Sequence, residues 1–210
     1  MDAELEKYCI LHSDEEPEIL RKLNRDGHVN LLKPRMMSGH FQGRVLAMLS
    51  KMIAPRRILE IGTFAGYSAL CFAEGLTEDG LIYTLDVNDE IEEFATRYFE
   101  QSVYKDKIKF IIADVEQWLP TVDEVFDLVF IDGNKRHYDR YYEAVLPRVR
   151  KGGFILADNT LWDGKVLEPI QKNDTQTQGI IMFNEMIAQD NRVEKVILPL
   201  RDGLTLIRKK

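Results

Sequence analysis

The sequence predicts a doubly wound α/β domain: a mostly parallel seven-stranded sheet with N-terminal helices and an antiparallel C-terminal edge hairpin. Three observations predict it. From Arg56 onward, five short apolar runs alternate with helical periods, the pattern of parallel strands covered on both faces. Two more apolar runs close the chain, joined by the tight Arg201-Asp202-Gly203, a hairpin signal. The first 55 residues read as helical throughout.

Taken in order, Ser13-Asp14 with Glu15 and Glu16 suits a helix start, Pro17 its first turn and Gly27 its end. Ser38 begins a second helix, in which Phe41, Val45, Met48, Leu49, Met52 and Ile53 form one apolar stripe, read as core, and Pro55 stops it. The strands expected next are Ile58 to Ile61, Leu81 to Leu85, Ile108 to Ile112, Phe126 to Ile131 and Phe154 to Ala157. Val193 to Leu200 and Gly203 to Lys209 form the hairpin. The polar stretch 163–179 reads as a mobile loop. Residues 1–55 are thus expected as a helical extension contributing to the substrate site, and 56–210 as the catalytic domain.

Composition removes several function classes. At 210 residues, 45% apolar and 30% charged, the chain can bury a full core as one domain. Its 28 basic and 35 acidic side chains leave a net charge of −7, which offers no bulk attraction to nucleic acid or anionic membrane. Two cysteines, Cys9 and Cys71, make no disulfide scaffold, and with the four histidines they show no zinc spacing. A reducing cytoplasm is the expected compartment. No apolar run is long enough to span a membrane, and the MDAELEKY start is acidic where a signal peptide is basic.

Open α/β sheets bind ligands beyond the carboxyl ends of their strands. The first strand leads into Glu60, Gly62, Thr63, Gly66 and Ser68, where the two glycines let the backbone pass close to a ligand. The G-x-x-x-G spacing matches neither the dinucleotide G-x-G-x-x-G nor a P-loop. Asp86, 24 residues after Gly62 at the end of the second strand, can accept both ribose hydroxyls of an adenosine-bearing ligand. Glu60, unless salt-bridged to Arg56 or Arg57, favours a ligand with an amino group or positive sulfur over a pyrophosphate. The cofactor so indicated is S-adenosylmethionine.

The segments ILEIGTFAGYSAL, FDLVFIDGNKRHYDRYYE and GGFILADNTLWDGKV resemble the cation-dependent O-methyltransferases of the caffeoyl-CoA and catechol type, from about Met36 to the C-terminus. The resemblance implies a Rossmann-like methyltransferase fold and a cofactor site at Ser38, Glu60, Gly62, Thr63, Ser68 and Asp86, with Asp114, Val115 and Asp132 beside it. It also implies a homodimer. The chain departs from the plant pattern at Asn134, where an acidic residue is common, so a cofactor contact there is neutral here.

Asp132 and the pair Asp158-Asn159 follow separate strands. If those strands are neighbours, about 5 Å apart, their oxygens can converge on one cation. An all-oxygen set selects a hard ion, Mg²⁺ first and Ca²⁺ or Mn²⁺ next. Either aspartate alone reads equally as a cap for the segment it precedes. Lys135, otherwise a surface lysine, is given by the resemblance the role of base toward a substrate hydroxyl, with Asp132 beside it. A vicinal diol on an aromatic ring suits such a site.

Trp162 could stack on that ring or anchor its loop, and Trp118 could meet the adenine edge or pack in the core. His40 and His137 read as surface hydrogen-bonding groups, Cys71 as a small buried hydrophobe. The expected function is methyl transfer from S-adenosylmethionine to a hydroxyl of a small catechol-like or caffeoyl-type aromatic. The competing readings are a methyltransferase for another acceptor, a catalytically silent cofactor-binding module and an NAD-dependent reductase.

Overall fold

The computed structural model describes residues 3–210. Helices α1 (Ala3–Leu11), α2 (Glu18–Asn30) and α3 (Gly39–Ile53) lead into β1 (Arg57–Ile61), α4 (Tyr67–Ala73), β2 (Leu81–Asp86), α5 (Glu92–Gln101) and β3 (Ile108–Ile112). There follow α6 (Val115–Trp118), β4 (Phe126–Ile131), α7 (Tyr138–Val145), β5 (Val149–Asp158), α8 (Thr175–Gln189), β6 (Val193–Leu198) and β7 (Leu204–Lys209). The sheet runs β3-β2-β1-β4-β5-β7-β6. Its first five strands are parallel, and β7 lies antiparallel between β5 and β6. This is the expected fold class.

Because side chains alternate along a strand, each apolar run feeds two cores. Ile58, Ile82, Leu128, Phe130 and Leu156 pack with residues of α2, α3, α4 and α5 on one face. Leu59, Ile61, Val129, Ile131 and Ile155 pack with residues of α7 and α8 on the other. Chain order reverses at β1, which pairs with β2 on one side and β4 on the other, so the loops after β1 and β4 diverge and open a crevice at their carboxyl ends.

Several expected details change. Helix α2 starts after Pro17, its N-cap residue, and Gly27 lies inside it. A Cβ at Gly27 would stand 2.8 Å from the Met37 Cε, so the glycine admits a neighbour rather than ending the helix. Ser13 instead bonds back to the Cys9 carbonyl at the end of α1, and Glu16 is buried, accepting from the Tyr67 hydroxyl.

The apolar stripe of α3 is core only in part: Phe41, Val45, Leu49 and Ile53 pack against the first core at its margin. Met48 and Met52 are 53% and 75% exposed, Phe41, Val45, Leu49 and Ile53 are half-buried, and the buried residues are Gln42, Gly43, Leu46, Ala47 and Ser50. Small side chains win that face because α4 comes so close: a Cβ on Gly43 would meet the Tyr67 ring at 2.7 Å.

Strand β5 begins at Val149, five residues earlier than the apolar run, and passes through Gly152 (φ 74°) beside a register shift against β4. The 163–179 stretch is only partly a loop, since Asp174 caps α8 by accepting from the Thr177 amide. Residues 1 and 2, at the head of the acidic start, lie outside the described residues. Among the described residues, no helix is long and apolar enough to cross a membrane.

Candidate active site

Two adjoining recesses open at the carboxyl ends of β1, β2, β4 and β5. The larger, about 1660 Å³, is lined by Gly62, Asp86, Asp114, Val115, Asp132, Lys135, Asp158 and Asn159 among others. A narrow recess beside it is lined by Ser38, Gly62, Thr63, Ser68 and Asp132. The expected cofactor, metal and catalytic residues border one recess or the other, apart from Glu60, which is fully buried behind them; Gly66 borders neither, its missing Cβ making room for the Phe99 ring instead.

Gly62 has φ 103°, and a Cβ there would fall 2.5 Å from the Asp132 carbonyl oxygen, so only glycine lets the β1 turn lie against the end of β4. Asp86 is held rigidly, Oδ2 accepting from the Phe64 amide at 2.9 Å and Oδ1 from the Asn88 amide at 3.0 Å. Asp114 caps α6 through the Glu116 amide, an arrangement that leaves its second oxygen for another donor.

Glu60 makes no salt bridge to its neighbours: Arg56 pairs with Asp79 and Arg57 with Glu124. Its register partner across β2 is Thr84, whose hydroxyl donates to Glu60 Oε2 at 2.5 Å. Among the described residues, Glu60 Oε1 is buried with no hydrogen-bond partner. Burial pushes this carboxyl up to about 8, opposed by the nearby Ser68 and Thr84 hydroxyls. A buried carboxyl oxygen left without a partner can gain from a cationic ligand group that draws off its proton, and in this respect the site suits an aminoacyl sulfonium cofactor.

The pairing of Ile131 with Ala157 brings Asp132 and Asp158 to adjacent strand ends. Asp158 is 4% exposed; its Oδ1 accepts from the Asn159 amide at 2.9 Å and its Oδ2 from Gln42 Nε2 at 2.8 Å. Burial, and then the Asp132 charge, push the Asp158 carboxyl up to about 6. Asn159 sits at φ 57°, a conformation asparagine tolerates better than most residues. Two carboxylates that disfavour each other's charge, with an amide oxygen beside them, fit a hard cation. No group of three His, Cys, Asp or Glu side chains is placed to hold a metal among the described residues, so such a site depends on the Asn159 oxygen and on water.

Lys135 is 9% exposed. Its ammonium donates to Asp132 Oδ1 at 2.6 Å and to the Tyr138 hydroxyl at 2.8 Å. Tyr138, wholly buried, in turn donates toward the carbonyls of Ile131 and Asp158 at 3.2 and 3.1 Å. One hydroxyl thus ties the lysine to the ends of β4 and β5. Helix α8 supports the same turn: a Cβ on Gly179 would fall 2.4 Å from the Lys135 carbonyl oxygen.

The remaining candidates sort by position. Trp162 lines the large recess and packs against the second core, its Nε1 buried without a partner among the described residues. Trp118 packs on Tyr83, ring centroids 5.3 Å apart, and borders neither recess. His40 Nε2 lies 2.9 Å from the Asp14 carbonyl, and His137 packs edge-on to Tyr141. Cys71 is wholly buried and burial raises its thiol. Asn134 is exposed at the recess and accepts from the Arg136 amide. Gln42, Tyr138, Gly179 and Arg201 carried no signal as site residues in the sequence.

A sheet of this order with a strand-end carboxylate cluster defines a Rossmann-like methyltransferase. The O-methyltransferase family model matches residues 11–210, and the chain belongs to that family. Caffeoyl-CoA O-methyltransferase 1 of Zea mays is 35% identical over 213 residues, covering 92% of this chain and 79% of the maize protein. Among solved structures, the S-adenosylhomocysteine-bound methyltransferase PaMTH1 of Podospora anserina aligns with TM-score 0.90 at 27% identity, covering 100% of this chain and 97% of that one. The O-methyltransferase TomG of Streptomyces achromogenes, involved in tomaymycin synthesis and solved with S-adenosylmethionine, aligns at 0.90 and 29%, covering 100% and 99%. The family resemblance and the expected enzyme class are borne out.

Proposed function

We propose that this protein transfers the methyl group of S-adenosylmethionine to a hydroxyl of a small catechol-like or caffeoyl-type aromatic, in a reaction that depends on a divalent cation. The observation that carries this reading is the buried Lys135 ammonium 2.6 Å from Asp132 at the mouth of the large recess, with Asp158 on the next strand. The cofactor is held by Ser38, Glu60, Gly62, Thr63, Ser68, Asp86, Asp114 and Val115, with Asp132 at the reacting end. Asp132, Asp158 and Asn159 hold the cation, Mg²⁺ in preference to Ca²⁺ or Mn²⁺. A cation bound there supplies charge that makes the acceptor hydroxyl more acidic and orients a vicinal pair of oxygens.

In its neutral amine form Lys135 receives the hydroxyl proton at Nζ and becomes the ammonium that the Asp132 carboxylate then pairs with in the recess. Residues 1–55 supply one wall of the acceptor site, as the presence of Leu31, Leu32, Lys33, Arg35 and Met36 along the large recess supports. We propose a homodimer as well, supported by the exposed Met48 and Met52 of α3, and a reducing cytoplasm, supported by two free cysteines. The test is transfer of labelled methyl from S-adenosylmethionine to a panel of aromatic vicinal diols and their singly hydroxylated counterparts. Labelling of the diols supports the reading; labelling of the single hydroxyls alone contradicts it.

A further inference from the structure

Gln42 is 1% exposed, an unusual place for a primary amide unless both of its ends are used. Both are. Its Nε2 donates to Asp158 Oδ2 at 2.8 Å, and its Oε1 accepts from Arg201 Nη1 at 2.9 Å. Arg201 sits in the β6–β7 turn at φ 47° and also donates to the carbonyls of Met37 and Ser38. The chain Arg201 to Gln42 to Asp158 therefore crosses from the C-terminal hairpin, through the inner face of α3, to the candidate cation site.

We infer that Gln42 is a positioning residue for Asp158 as a cation ligand, with Arg201 fixing which way the amide points. The inference rests on the proposed cation site. A primary amide is nearly symmetric in shape, and turned the wrong way it would set oxygen against the Asp158 carboxylate. A guanidinium has donors only, so it accepts no arrangement except oxygen toward Arg201 and nitrogen toward Asp158. Besides the amide of Asn159, Gln42 is the one donor to the Asp158 carboxylate among the described residues. Each carboxylate oxygen then has one bond from protein and lone pairs left for a cation. Outer partners of this kind commonly govern metal affinity without touching the metal.

The experiment titrates Mn²⁺, followed by electron paramagnetic resonance, into the full chain with saturating S-adenosylhomocysteine. It compares wild type, Gln42→Met, Arg201→Met and the double variant, with cofactor-product affinity and thermal melting measured on each. Gln42→Met is expected to weaken Mn²⁺ about 10- to 100-fold while S-adenosylhomocysteine affinity stays the same. Arg201→Met should weaken Mn²⁺ less, and the double variant should be no worse than Gln42→Met alone, because Arg201 acts through the amide. Should Gln42→Met fail to fold, the Arg201→Met result decides, since a partial loss of Mn²⁺ affinity is required there. Unchanged Mn²⁺ affinity in a folded Gln42→Met overturns the positioning role and leaves the cation site standing. Absence of Mn²⁺ binding by wild type overturns the cation site, and the positioning role with it.

Discussion

The Tyr138 hydroxyl accepts a 2.8 Å hydrogen bond from the Lys135 ammonium. It leaves its own proton for the carbonyls that end β4 and β5, so the lysine is braced from the core side while Asp132 holds it from the recess side. Burial raises the Tyr138 hydroxyl well above the ordinary phenol range, which keeps it a donor to those carbonyls.

Tyr138→Phe therefore removes an anchor for Lys135 without touching substrate. Methyl transfer under saturating conditions should slow about tenfold, a change of about 1.4 kcal/mol in the barrier, with KM little changed. Unfolding free energy should fall by about 1–3 kcal/mol, since a buried carbonyl loses its donor. Steady-state kinetics and urea unfolding read the two effects separately.

Lys135→Ala should cut kcat by about 10²- to 10⁴-fold if Nζ takes the hydroxyl proton, while S-adenosylhomocysteine affinity holds. The loss should shrink as pH rises, because an already ionised hydroxyl needs no base. Lys135→Arg keeps the charge and should fail as well, a guanidinium being unable to accept a proton near neutral pH. Single-turnover transfer at several pH values checks this; wild-type rates in the arginine variant would reduce Lys135 to a fixed positive charge.

Glu60 sets a pH dependence of cofactor binding. Its carboxyl is raised from 4.5 to about 8 by burial, so in the empty protein it stays protonated through the neutral range. The stability this contributes is full below 4.5 and fades as pH rises through about 8. A cationic ligand group beside it draws the proton off, and binding should release a proton. S-adenosylhomocysteine affinity should rise by up to ~10-fold per pH unit between pH about 6 and 8, and Glu60→Gln should flatten that slope in calorimetry.

Gly179→Ala tests the support that α8 gives to the lysine turn. The added Cβ would stand 2.4 Å from the Lys135 carbonyl oxygen and 2.8 Å from the Arg136 Cα, backbone that can move only by shifting the turn. Overpacking of this kind costs about 1–3 kcal/mol. The variant should melt earlier and lose kcat more than cofactor affinity.

Much of this was legible in the sequence because the strands bury both faces and so read as continuous apolar runs. Asp86, Asp132 and Asp158 stood out by falling at strand ends, and the structure brings them to the recess. The inner face of α3 was not legible. Gln42, Gly43 and Ser50 at helical spacing look like a solvated face; the closeness of α4 buries Gly43 and Ser50, and Gln42 is buried where it bridges Asp158 and Arg201. Strand β5 extends beyond its apolar run because the polar Arg150, Lys151 and two glycines carry no strand pattern, while a local register shift against β4 carries the strand through them. The polar run after Trp162 hid the first turn of α8, whose start depends on one capping side chain, Asp174.

The most direct test of the central claim is methyl transfer to an aromatic vicinal diol after exhaustive chelation, followed by addition of Mg²⁺. Transfer should be lost with the chelator and return with Mg²⁺ in wild type, and should not return in Asp158→Ala. Full-rate transfer in the chelated enzyme would contradict the account, leaving Lys135 and Asp132 to activate the hydroxyl alone.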